Sequence, residues 1–326
     1  MILICGGAGY IGSATAYQMQ EKGYDLLLLD NLQRGHKAAA RDLPLIVGDL
    51  HDEALLDQIF TEHKIDAVVH FAANSLVGES VKEPLAYYDN NVAATMHLLN
   101  AMVRHGVKKL VFSSTAAVYG EPEAIPILED AAKAPTSPYG ETKLAIERML
   151  HWCDGAYGLK SVCLRYFNAA GALPDGSLGE DHTPESHLLP IVLQTALGKR
   201  DHIDMYGTDY PTKDGTCIRD YIHVLDLADA HILALEHLLG GGESRRYNLG
   251  NGEGYSVREM IELAREITGH EIPAREMDRR PGDPAVLIAS SDRIRSELGW
   301  NPSRSLRDII SSAWKWHSSH PDGYND

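Results

Sequence analysis

Gly6-Gly7-Ala8-Gly9-Tyr10-Ile11-Gly12 follows a short apolar run, Ile2-Leu3-Ile4-Cys5, and precedes Ser13 to Lys22, which reads as a helix closed by Gly23. Beyond it, Leu26-Leu27-Leu28-Leu29 reads as a second strand ending on Asp30. The order is strand, glycine turn, helix, strand, acid. Glycines at such a turn let the backbone approach a pyrophosphate at a helix N-terminus, where free N–H groups and the helix dipole favour anions. Asp30 stands 18 residues after Gly12, close to the spacing of a carboxylate that grips an adenosine ribose. A carboxylate there disfavours a 2′-phosphate, so NAD is expected rather than NADP. The spacing is Gly-x-x-Gly-x-x-Gly rather than Gly-x-Gly-x-x-Gly, and a glycine turn without a ligand is the alternative reading.

Outward from this unit, strand candidates recur at Leu45–Val47, Ala67–Phe71, Leu110–Ser114 and Val162–Tyr166. Helical stretches separate them: Glu53–His63, a long one near Leu85–His105, and Gly140–Tyr157. This alternation predicts an α/β fold, a Rossmann-type doubly wound parallel sheet with helices on both faces. Ligands of such sheets sit beyond the carboxyl ends of the strands, where Gly6–Gly12, Asp30, Phe71-Ala72 and Ser113–Thr115 all fall. After residue 168 the pattern changes to loops and short helices (Leu188–Leu197, Val257–Thr268), with Asp226–Leu239 as a helix that could return to the first part. We expect an NAD-binding domain over 1–168. A smaller, mainly substrate-binding portion over 169–326 would be partly interleaved with it. The tail from Ser318 to Asp326 reads as a loose terminus.

Composition narrows the function. A net charge of −16 argues against nucleic acid as a partner. It also requires any phosphorylated ligand to be held by locally placed arginines. No apolar run approaches the roughly 20 residues of a membrane span. No signal peptide is read before the first strand. Cys5, Cys153, Cys163 and Cys217 show no paired spacing and read as reduced thiols, so a cytoplasmic location is expected. Sixteen histidines raise the question of a metal. There is no His-Glu-x-x-His and no Cys/His cluster; His182 and His187 flank Glu185 in a loop, a poor ligand set, and no metal is expected.

Tyr139 and Lys143 lie in Ser137-Pro138-Tyr139-Gly140-Glu141-Thr142-Lys143, about two dozen residues after Ser113-Ser114-Thr115. Four residues apart on a helix, the phenol and the ammonium share a face. A free tyrosine has a pKa of about 10; bringing it to about 7 takes roughly 4 kcal/mol in favour of the phenolate, part of which a nearby cation can supply. The constellation is suited to taking a proton from an alcohol, although Tyr-x-x-x-Lys also arises by chance on surface helices.

Together, the glycine turn, the hydroxyl cluster and Tyr-x-x-x-Lys resemble an extended short-chain dehydrogenase/reductase. LDNL, HFAANSLVGES, YYDNNV, FSSTAAVYGEP, SPYGETK, LRYFNAAGA, GEDH, YNLGNGEGYSV and RRPGDPA narrow this to a resemblance to the UDP-glucose 4-epimerase family over nearly the whole chain. DYPTKDGTCIRDYIHV, from Asp209 to Val224, is the most specific stretch, because it belongs to the substrate side. The resemblance implies Tyr139 as the base, Lys143 as its cation and a nicotinamide-ribose ligand, and Thr115 as the hydroxyl that relays or orients the proton. It implies Gly6, Gly9, Tyr10, Ile11 and Gly12 along the pyrophosphate, Asp30 and Asn31 on the adenosine ribose, and Asp49 and Leu50 beside the adenine. Phe71, Ala72, Asn90, Ser113 and Phe167 would complete the cofactor pocket. Asn168, Leu188, Tyr206, Arg219, Arg280, Asp283 and Leu287 would hold the UDP-sugar, with both arginines on the diphosphate. A homodimer is also implied. Four positions depart from the common pattern. Ser75 replaces a frequent lysine, Thr115 a serine, His187 an asparagine and Leu287 a bulky aromatic beside the sugar.

The activity so implied is interconversion of UDP-glucose and UDP-galactose through a 4-keto sugar with retained NAD. A 4,6-dehydratase would need an acid and a base after the hydroxyl, and Ala116-Ala117 provide neither. UDP-N-acetylhexosamines or UDP-uronates remain alternative substrates. A non-catalytic NAD-sensing protein is the alternative of another class; it would be expected to lose Tyr139 or Lys143.

Overall fold

Continuous apolar runs such as Ile2–Cys5 and Leu26–Leu29 make sense only in strands buried on both faces, the condition of a parallel sheet covered by helices. In the computed structural model, which describes residues 1–280 and 283–325, that is their setting. The first part runs β1 (Ile2–Cys5), α1 (Tyr10–Glu21), β2 (Leu26–Asp30), β3 (Leu45–Val47), α2 (Glu53–Glu62), β4 (Ala67–His70), α3 (Val77–Lys82), α4 (Pro84–Tyr87), α5 (Ala94–Arg104), β5 (Lys109–Ser113), α6 (Pro138–Tyr157) and β6 (Lys160–Arg165). The second part runs β7 (Asn168–Ala170), α7 (Leu188–Ala196), β8 (Ile203–Tyr206), β9 (Ile218–Arg219), β10 (Tyr221–His223), α8 (Val224–Leu239), β11 (Arg245–Asn248), β12 (Tyr255–Ser256), α9 (Val257–Thr268), β13 (Ala274–Met277), β14 (Val286–Leu287), α10 (Asp292–Leu298) and α11 (Leu306–Ser319).

Seven parallel strands form the sheet, in the order β3-β2-β1-β4-β5-β6-β11. This is the Rossmann-type doubly wound arrangement. Residue parity splits its two faces. Ile2, Ile4, Leu26, Leu28, Val69 and Val111 pack with Met19 of α1 and Leu235 of α8. Leu3, Cys5, Leu27, Leu29, Val68 and Phe112 pack with Ile59 of α2, Leu98 of α5 and Leu150 of α6. A second core joins α7, α9 and α11 through Leu193, Ile261 and Ile310.

Three features differ from the sequence reading. β11 was not recognised: Arg245-Arg246-Tyr247-Asn248 is too polar to read as a buried strand, yet it closes the sheet edge against β6. The stretch near Leu85–His105 is not one α-helix, because a π-helical turn over Tyr88–Ala93 joins α4 to α5. That turn places Asn91 where its amide donates to Asn74 O (3.0 Å) and Thr142 Oγ1 (3.1 Å). The C-terminus is not loose at Tyr324, whose ring stacks on His36 and packs on Trp316 and whose hydroxyl donates to Gly179 O. Asp326 lies outside the described residues. Among the described residues no helix is long and apolar enough to cross a membrane.

Candidate active site

Parallel strands end on one edge, so the segments after β1, β2, β4 and β5 meet in one cleft. A cavity of about 690 Å³ opens there. Its first wall is the glycine turn. Gly6 has a φ of 77°, and a Cβ on it would lie 2.5 Å from Ala72 N; a Cβ on Gly12 would lie 2.0 Å from Gly6 O. Those two glycines close the turn on itself. Gly9 is different, because the nearest protein atom to a Cβ there is 3.4 Å away and the residue faces the cavity. α1 starts without a side-chain cap, which leaves its first N–H groups for an anion. Tyr10 and Ile11 also line the cavity, and the Tyr10 hydroxyl donates to Gly171 O at 2.6 Å.

Asp30 ends β2 with its carboxylate accepting from Ala8 N (3.0 Å) and Leu32 N (2.9 Å). Burial pushes its pKa up, and these backbone donors pull against that rise. Asn31 donates to Asp49 at 2.7 Å, which joins the ends of the second and third strand segments. Asn31, Asp49, Leu50, Phe71, Ala72, Asn90, Ser113 and Phe167 all reach the same cavity. An open glycine cradle, an acid at the next strand end and an apolar slot in one cleft fit an adenine dinucleotide.

α6 begins two residues earlier than the sequence reading placed it. Ser137 caps it, accepting from Gly140 N at 3.2 Å, and Pro138 occupies the first helical position. Tyr139 and Lys143 are thereby set one above the other on the cavity wall. Thr115 follows β5 and lines the same cavity, its hydroxyl accepting from Ala117 N at 3.1 Å. Lys143 Nζ donates to Ser113 O at 2.8 Å and lies 6.0 Å from the centroid of the Tyr139 ring. Burial raises the Tyr139 pKa, and among the protein's groups it is the Thr115 hydrogen bond that lowers it. Burial also pushes Lys143 down to about 7, although the Glu147 carboxylate raises it. Desolvation is thus the larger influence on the phenol in the protein alone.

Arg219, Arg280, Asn168 and Leu287 also line the cavity. Asp283 sits between the arginines, 3.3 Å from Arg219 and 3.1 Å from Arg280, and the Arg280 guanidinium lies 4.6 Å above the Tyr206 ring. Tyr206 and Asp283 thus hold the arginines from behind. Leu188 opens α7 and packs into the second core. Leu287 and Phe167 both pack against the small cluster that contains Val118, Ile127 and Leu144. Pro281 and Gly282 of RRPGDPA lie outside the described residues.

Two features of the wall differ from what the sequence suggested. Arg34 donates to Thr183 O (2.6 Å) and to Glu79 (3.0 Å), fastening the loop after β2 to the loop before α7. Its nearness to Asp30 in sequence was the available signal. The second concerns the histidines. Glu180 joins His182, Glu185 and His187, and the ligand atoms of all four lie within 4.8 Å of one another. The set read as poor in sequence is compact in space, because the loop folds back and adds a carboxylate seven residues before His187. Burial alone would lower both imidazoles; the nearby Glu180 and Glu185 carboxylates outweigh it and hold His182 up to about 9 and His187 up to about 10.

Comparison with known proteins adds the following. Residues 2–250 match the model of the NAD dependent epimerase/dehydratase family. The UDP-glucose 4-epimerase of Halalkalibacterium halodurans is 61% identical over 325 residues, 99% of this chain and 97% of that protein. A crystal structure of UDP-glucose 4-epimerase superposes with a TM-score of 0.98 at 53% identity, covering 100% of this chain and 99% of that one. The UDP-glucose 4-epimerase from Bifidobacterium longum in complex with NAD+ and UDP superposes with a TM-score of 0.93 at 40% identity, covering 99% of each chain.

Proposed function

The chain belongs to the NAD dependent epimerase/dehydratase family, and from that membership we propose that it interconverts UDP-glucose and UDP-galactose. It is an NAD-dependent isomerase. The observation that carries the reading is the meeting, in one cavity, of the glycine cradle with Asp30, the Thr115–Tyr139–Lys143 group and the Arg219–Arg280 pair. Residues 1–168 would carry mainly the dinucleotide and 169–326 mainly the UDP-sugar.

When bound, NAD supplies hydride acceptance from sugar C4 and return to the opposite face of the 4-keto sugar, and its oxidised ring brings positive charge to the cleft. The protein's part is proton handling and restraint. Tyr139 Oη takes the proton of the 4-hydroxyl and later returns one, with Thr115 orienting it. Lys143, tied to Ser113 O, would reach toward the nicotinamide ribose. Arg219 and Arg280, braced by Asp283, hold the diphosphate, so the sugar can turn over without leaving. Ala116 and Ala117 after Thr115 offer no proton for an elimination, which supports epimerisation over dehydration.

A homodimer is the proposed assembly, supported by exposed apolar side chains on helices of one face: Leu85 of α4, Met96 of α5 and Trp152 of α6. All four cysteines are buried and unpaired, which supports a reducing, cytoplasmic setting.

Two results are expected. Acid denaturation of the purified protein should release NAD that was never added, because redox-neutral chemistry requires no exchange; a nucleotide-free supernatant from protein active only with added NAD contradicts retention. Turnover of UDP-galactose, UDP-N-acetylgalactosamine and UDP-galacturonate, assayed separately, tests the substrate. The hexose pair should be best, with some activity on the N-acetylated pair, because Leu287 leaves room that an aromatic would fill. Leu287→Tyr should depress the N-acetyl activity selectively, since overpacking costs about 1–3 kcal/mol, or roughly 5- to 150-fold. Equal losses on both pairs would remove Leu287 from the sugar pocket.

A further inference from the structure

The loop between β7 and α7 carries four side chains whose geometry the proposed chemistry does not use. His187 Nδ1 lies 3.0 Å from Glu180 Oε1 and 3.0 Å from Glu185 Oε1. His182 Nδ1 lies 3.3 Å from Glu180 Oε1 and 3.7 Å from Glu185 Oε2. The carboxylate side chains are only 5% and 4% exposed. Tetrahedral zinc with bonds of about 2.0–2.2 Å to nitrogen and oxygen sets its ligand atoms about 3.3–3.6 Å apart; the His187 separations are shorter than that, the His182 separations lie at or just beyond it, and all four ligand atoms fall within 4.8 Å of one another.

Hydrogen bonding accounts for only part of the cluster, since it pairs His187 Nδ1 with Glu185 Oε1 at 3.0 Å. His182 Nδ1 is buried and has no hydrogen-bond partner, although two carboxylates stand within 3.7 Å. An N–H there is not aimed along either approach, whereas a lone pair can point between them at a shared centre. The surroundings are those of a ligand shell. Ser186 N and His187 N each donate to Glu185 Oε1 at 2.7 Å, Trp316 Nε1 donates to Glu180 O at 3.1 Å, and the His182 ring meets Tyr10 edge-on. Such outer contacts fix ligand orientation.

We propose that Glu180, His182, Glu185 and His187 bind one divalent transition metal of the zinc class, through both Nδ1 atoms and one oxygen of each carboxylate. Two imidazoles with two carboxylates suit zinc over calcium or magnesium, which call for six or more ligands, nearly all oxygen. Four protein ligands make a closed, structural site. Its position explains its use. His187 immediately precedes α7, His182 packs on Tyr10 of the glycine turn, and the loop borders the cavity. The metal would pin the substrate-side loop against the cofactor-side turn.

The test uses untagged full-length protein, stripped with a chelator and then equilibrated with zinc or cobalt(II) alone. Elemental analysis after gel filtration should give about one zinc per chain. Cobalt(II) should give a tetrahedral visible spectrum without thiolate charge transfer, and zinc should raise the melting temperature. The double variant His182→Ala/His187→Ala and the milder His187→Asn should lose stoichiometric binding and the zinc-dependent rise in melting temperature. Circular dichroism reports whether each variant is folded. Absence of stoichiometric metal in the wild type would overturn the proposal in favour of an imidazolium–carboxylate cluster. Undiminished zinc in a folded double variant would place the metal elsewhere. If that variant does not fold, His187→Asn and the wild-type cobalt spectrum decide: octahedral or thiolate character overturns the assignment.

Discussion

Tyr139→Phe is expected to lower turnover of UDP-galactose by roughly two to four orders of magnitude, the usual range when a positioned acid–base group is removed. The ring remains, so the wall of the cavity keeps its shape, and NAD should still be released on denaturation. The loss should fall on kcat more than on KM, because the contacts proposed for the nucleotide, Arg219 and Arg280, do not involve the phenol. Wild-type turnover in this variant would remove Tyr139 from proton transfer. Burial raises the pKa of this phenol, and the Thr115 hydroxyl works against that rise.

The second large effect concerns stability. Glu147 and Arg165 are each 1% exposed and form a forked ion pair, with Arg165 Nε donating to Oε1 at 2.8 Å. Arg165 also donates to the Tyr119 hydroxyl at 2.6 Å, which in turn donates to Asn248 at 2.6 Å. The network therefore ties β6, α6, β11 and the turn after Thr115. Glu147→Ala strands a buried guanidinium and should cost about 3–5 kcal/mol, read as a lower urea midpoint at unchanged slope. Replacing both partners, as Glu147→Leu with Arg165→Met, should recover most of that loss, since apolar pairs of similar volume often substitute without penalty. A loss under about 1 kcal/mol in the single variant would mean that water reaches the pair.

The first 30 residues were legible as a dinucleotide unit because their signals are local. A strand buried on both faces must be apolar throughout, a turn that closes on Gly6 O tolerates no side chain at Gly12, and an acid at the next strand end follows from the geometry of two parallel strands. Tyr139 and Lys143 were legible for the same reason, as one helical turn brings them together whatever surrounds them. Three things required the tertiary structure. β11 is polar in sequence and becomes a strand only because the free edge of β6 offers it hydrogen bonds. The phenol's pKa depends on desolvation by distant parts of the chain, so the sign of its shift was not contained in the Tyr-x-x-x-Lys spacing. The convergence of Glu180, His182, Glu185 and His187 depends on a loop folded between the glycine turn and α11. Local covalent geometry determines periodicity and caps; the dielectric around a charge, and which loops share a site, are decided by what packs against them.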